Sequence, residues 1–176
     1  MKEHTRPRFE DLPIEQREQF AENTKERIYS TITLLAVVTA IWHSSVQHSH
    51  LGTLAAIVGT VVALWLATLM ADRMSYRAVH GRSMPLVKYR QMFFSASGLL
   101  APAGVPIVLV LMSWAGLYSL SSALLVSMIV LLLSMFLFSI MGSRRIYDSF
   151  GRVLLISFLE LGIGLGVVAL KLLAGE

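Results

Sequence analysis

The sequence contains no cysteine. That excludes disulfides, thiolate metal sites and thiol nucleophiles. Charge is also scarce: only 15% of the 176 residues are Asp, Glu, Lys or Arg, against about 25% in a typical soluble domain. The scarcity is regional. No charged residue lies between Ile28 and Ala71 or between Gln91 and Ser143, and from Val153 to Leu170 the single charge is Glu160. A helix needs roughly 20 apolar residues to cross a bilayer. The first two uncharged regions each accommodate a helical hairpin and the third a single span. No nucleophile–base set, phosphate-binding loop or Gly-rich dinucleotide motif is present, so an enzyme is not expected, nor is a permanently bound cofactor.

What remains is apolar: 55% of residues are hydrophobic. The expected fold class is therefore an all-α integral membrane protein with five transmembrane helices. Residues 1–25 read as a cytoplasmic tail containing a short polar helix, and 26–176 as the transmembrane domain. The spans are expected at about 28–46, 51–71, 92–114, 119–141 and 153–173. Pro102 and Pro106 should interrupt the third, and Gly81 and Pro85 should break a basic loop running from Asp72 to Arg90. The first apolar segment begins too late for a cleaved signal peptide, so the N-terminus is expected to be retained.

Lys and Arg collect in cytoplasmic loops. Fourteen of the fifteen basic residues fall before span 1, between spans 2 and 3 or between spans 4 and 5, leaving only Lys171 for the other side. The N-terminus is thus expected in the cytoplasm and the C-terminus outside. The formal net charge of +4 is read as topology, with no nucleic-acid partner implied.

Glu160 is the most informative polar residue. It sits about nine residues into span 5, roughly 13 Å deep, where a carboxylate must be protonated, paired or hydrated. Asp72 closes span 2 beside Met70 and Met74, whose thioethers are soft ligands or ordinary packing. Glu26 opens span 1, with Ser30 and Thr33 on its face, a polar stripe suited to a hydrated path. Glu15, Glu18, Glu22 and Glu26 share one helical face, a surface for divalent cations or merely for solvent. His43, His48 and His50 cluster in the first external loop without the spacing of a closed zinc site. Gly162 and Gly166 form a GxxxG pair, which permits close helix packing, for instance across a dimer axis.

Two strings carry a family resemblance. Glu26-Arg27-Ile28-Tyr29-Ser30-Thr31 resembles the first-helix start of the vacuolar iron transporter family, with Glu26 at the acidic position. Met70-Ala71-Asp72-Arg73-Met74-Ser75 resembles the end of that family's second helix, with Asp72 at the acidic place. The Pro-containing third span and Gly-rich fifth span are similar as well. The chain resembles the short members that lack the Glu-rich cytoplasmic metal-binding domain. The resemblance implies a homodimer exporting Fe²⁺ or Mn²⁺ from the cytoplasm in exchange for protons, with Glu26, Asp72, Met70 and Met74 on the pathway.

The leading expectation is a proton-coupled divalent metal transporter, with Glu160 as its buried site, in the bacterial inner membrane. The alternative is a non-transporting assembly partner or regulator, acting through the N-terminal helix and the basic loops.

Overall fold

The computed structural model describes residues 13–44, 48–143 and 149–173. The expected tail of residues 1–12, part of the first external loop, most of the 144–152 basic loop, the last three residues and the side chain of Glu15 lie outside the described residues. Every described element is helical.

Helix α1 spans Ile14–His43. The short polar helix and the first apolar segment are thus one continuous element, because no Gly or Pro separates them. Helix α2 spans His50–His80. Here the expected Asp72–Arg90 loop is corrected. Charge ends an apolar run but not a helix, and Asp72-Arg73-Met74-Ser75-Tyr76-Arg77 contains no helix breaker. The helix stops at Gly81, whose φ of 62° places it in the left-handed conformation that glycine adopts without steric cost. The loop shrinks to the segment from Gly81 to Pro85, after which α3 runs from Leu86–Ala96.

The third apolar segment bends as its prolines require. Ser97–Ala103 is a 3₁₀ segment containing Pro102, and α4 follows as Gly104–Trp114. In a 3₁₀ turn the Leu99 carbonyl looks to the N–H of residue 102, which proline lacks. Ser30 of α1 fills that vacancy: its hydroxyl donates to the Leu99 carbonyl at 2.6 Å, fully buried. Helices α5 (Leu120–Ser143) and α6 (Phe150–Leu173) complete the bundle.

Among the described residues, four helical stretches are long and apolar enough to cross a membrane: α2, α3 through α4, α5 and α6. Helix α1 is longer than most of them but less apolar, because its first half is charged through Glu26 and Arg27 and its apolar run ends at His43. It occupies the centre instead. Its Leu34, Leu35, Val38 and Ile41 form one core with Ile57 and Val61 of α2, Ala103 and Val110 of the broken segment, and Leu124 and Leu131 of α5. Its hydroxyls are silenced locally: Thr31 donates to the Arg27 carbonyl and Thr39 to that of Leu35, at 2.7 and 2.6 Å.

Helix α6 packs on α5 through Gly164. A Cβ there would stand 3.1 Å from Leu132 Cδ2 and 3.3 Å from Met135 Sδ. Two turns before Gly164 on the same face, Ser139 donates to Ser157 at 3.0 Å, both buried. The glycines of the GxxxG pair play no part in this contact, for a Cβ on Gly162 or Gly166 would meet nothing within 4 Å.

Candidate functional site: a carboxylate vestibule

The charged end of α2 projects past the apolar run that stops at Ala71. There it meets the N-terminal half of α1 and the start of α3. The three helices enclose an open vestibule of about 730 Å³. Glu18 and Glu22 face it from α1, Asp72, Tyr76 and His80 from α2, and Lys88 and Met92 from α3, with Met84 on the connecting turn. On α2 these positions recur at the three-to-four-residue spacing of one helical face.

Tyr76 anchors one wall and is only 8% exposed. The His80 ring stacks on it, with centroids 4.1 Å apart and planes 11° from parallel, and Lys88 Nζ lies 5.0 Å from the ring centroid. His80 Nδ1 lies 3.1 Å from the Tyr76 carbonyl. A carbonyl only accepts, so Nδ1 carries the proton and a neutral His80 keeps its Nε2 lone pair free.

Glu26 lies next to this vestibule. It is 8% exposed and has neither hydrogen bond nor ion pair with any described residue. Burial pushes its carboxyl above the ordinary Glu value. Lys25 opposes that shift, while the negative charges of Asp72 and Glu22 add to it. Asp72 stands exposed in the vestibule wall, but the surrounding protein still desolvates it enough to push its carboxyl upward. The charge of Glu22 adds to the effect and Lys25 again opposes it. Lys25 is itself engaged at the surface, 3.2 Å from Glu22. The site is therefore a patch of mutually repelling carboxylates, with Lys25 paired to Glu22 at its edge and Lys88 on the α3 wall.

Of the residues singled out from sequence, Glu26 and Asp72 are brought together electrostatically. Met70 and Met74 are not: they are 60% and 57% exposed and sit two residues either side of Asp72, about 200° around the helix. Glu160 is elsewhere, exposed on α6. Ser30 and Thr33 do not leave hydroxyls free along the Glu26 stripe, because Ser30 serves Leu99 and Thr33 donates to the Tyr29 carbonyl at 2.9 Å. The histidines around the α1–α2 connection diverge. His48 Nδ1 contacts the Ser44 carbonyl at 3.0 Å, whereas His50 Nε2 lies 3.2 Å from Ser113 Oγ. Among the described residues, no three His, Asp or Glu side chains come together closely enough to hold a metal ion. Sequence reasoning missed Tyr76, His80, Met84, Lys88 and Met92. The signal for the first two was the uninterrupted helical period beyond Asp72.

A second feature lies on α1 itself, an apolar groove of about 680 Å³ bordered by Ala21, Ile28, Tyr29 and Ile32, with Arg17 and Lys25 at its margin.

Comparison with known proteins finds no matching family model, no similar curated protein and no similar solved structure.

Proposed function

We propose that the chain is a five-span membrane transporter that draws a divalent cation, Fe²⁺ or Mn²⁺, from the cytoplasm and exchanges it for protons. The observation that carries this reading is Glu26, a largely buried residue whose carboxylate has no partner among the described residues and lies beside the negative charges of Asp72 and Glu22. Such a group binds its proton more tightly than an ordinary Glu, and an approaching cation weakens that hold. The carboxylates are too dispersed to cage a bare ion. They attract a hydrated one, and the ion meets Asp72 at the vestibule wall before Glu26.

The remaining parts of the reading rest on the same physics. Helix α1 is counted as the fifth span because its apolar half is wrapped by the other helices, which relieves it of facing lipid. The fourteen-to-one distribution of basic residues supports a cytoplasmic vestibule. The homodimer is what the resemblance to vacuolar iron transporters implies, and the bacterial inner membrane is the location proposed for it.

The test is Mn²⁺ and Fe²⁺ flux into proteoliposomes with internal pH recorded. Cation flux coupled to proton counterflow is expected for the wild type, with coupling lost in Glu26→Gln and uptake slowed in Asp72→Asn. Flux no greater than in empty liposomes for either ion rejects transport. It then favours the second reading, a regulator or assembly partner binding through the apolar groove of α1.

A further inference from the structure

Among the described residues, Glu160 is the one carboxylate that lies away from the vestibule and its rim. It lies ten residues after Phe150 and thirteen before Leu173, about 15 and 20 Å along the helix axis. That is the middle of a hydrocarbon core about 30 Å thick. Its neighbours Phe158, Leu159 and Ile163 are 59%, 65% and 61% exposed. Glu160 is exposed among them and has no hydrogen bond or ion pair with any described residue. The nearest buried hydroxyls, Ser139 and Ser157, are joined to each other. A carboxylate is too short to snorkel to the headgroups from this depth, as lysine does from helix ends.

Ionisable side chains at mid-membrane face the bundle interior, a water-filled cavity or a polar partner, because hydrocarbon cannot solvate them. The subunit therefore leaves part of its intramembrane surface unfinished at Glu160. A Lys or Arg at the same depth would complete it by pairing with the ionised carboxylate. A second copy of this chain has none: Lys and Arg are absent from positions 28–71, 91–143 and 153–170. The α6 residues Arg152 and Lys171 sit eight and eleven positions away, near the helix ends.

We infer that the Glu160 face of α6 docks a transmembrane helix of a different protein, one that carries a Lys or Arg at mid-depth. Apolar contacts with Phe158, Leu159 and Ile163 surround the ion pair and keep it dry. The interface is independent of the vestibule, so it serves a transporter and a regulator equally.

The test uses the full chain, labelled with a donor dye through Ser119→Cys, in phosphatidylcholine vesicles. Acceptor-labelled leucine-rich single-span peptides carry either one central Lys or Leu at that position. Energy transfer should report roughly tenfold tighter association with the Lys peptide, the scale of one interhelical polar contact in lipid. Glu160→Gln should bring binding down to the Leu-peptide level, with unchanged helicity by circular dichroism. Glu160→Lys should regain it with a peptide bearing a central Glu. Equal binding of both peptides overturns the inference, as does a Lys preference that survives Glu160→Gln. Transfer between differently labelled copies that disappears in Glu160→Gln also overturns it, by assigning the face to a second copy.

Discussion

A single hydroxyl holds the break in the third apolar segment. Pro102 removes the donor that the Leu99 carbonyl needs, and Ser30 supplies it from a neighbouring helix. Water cannot substitute at a site that is fully buried. Ser30→Ala should therefore leave a desolvated carbonyl and cost about 1–3 kcal/mol, measured as lost thermal stability in detergent with the helical content retained. Glu26 makes the opposite kind of demand. Its folded-state carboxyl titrates above the ordinary value of 4.5, so ionisation is harder in the fold than in the unfolded chain. The sign follows from linkage: the Glu26 contribution to stability is fully present below about pH 4.5 and is lost as pH rises through the elevated value. Glu26→Gln removes that titration. Its melting temperature should exceed that of the wild type at neutral pH, and the difference should vanish on acidification. A wild-type melting temperature that rises over the same interval contradicts the assignment. The serine link was not legible in sequence. Ser30 read as part of a hydrated stripe because nothing local shows that a carbonyl sixty-nine residues later lacks its partner.

At the scale of the helix, the apolar spans were readable because they are deserts of charge, and hydrocarbon imposes that pattern on sequence. Helix ends were less so. The charges from Asp72 onward mark where lipid stops, whereas the backbone continues in helix to Gly81, the first residue that stops it cheaply. That unread extension is what builds the α2 wall of the vestibule. Orientation was least readable of all. In a span that is apolar all round, lipid and protein interior select the same residues, so no periodicity shows which side of α6 faces α5. The contact falls on Gly164 and not on the GxxxG pair flanking it. Gly164→Leu should collide with Leu132 and Met135 and cost about 1–3 kcal/mol through overpacking. Gly162→Leu, which adds side chain where nothing lies within 4 Å, should leave subunit stability within about 0.5 kcal/mol of wild type. Equal effects of the two substitutions would contradict this α5–α6 geometry.

For the whole molecule, the question that decides everything else is whether α1 crosses the bilayer. If it does, five spans alternate, the vestibule opens to the cytoplasm, and every basic cluster but Lys171 lies on that side. If it does not, Gln16 in the vestibule and Ser49 before α2 share one face of the membrane, and the fourteen-to-one charge pattern loses its alternation. The packing favours crossing. The α1 residues from Leu34 to Ile41 lie at the same level of the bundle as Ile57, Val61, Val110 and Leu124, which belong to helices apolar enough to span. A helix this deep among spanning neighbours has nowhere to turn back, since its backbone would leave unpaired polar groups in hydrocarbon. The absence of native cysteine makes the test direct. Gln16→Cys, Ser49→Cys and Ser83→Cys, each at an exposed position, should be labelled by a membrane-impermeant maleimide in sealed right-side-out vesicles at Ser49→Cys alone. Disruption of the vesicles should then open the other two. Labelling of Gln16→Cys and Ser49→Cys from the same side would remove α1 from the membrane, leave four spans, and take the vestibule's proposed cytoplasmic cation supply with it.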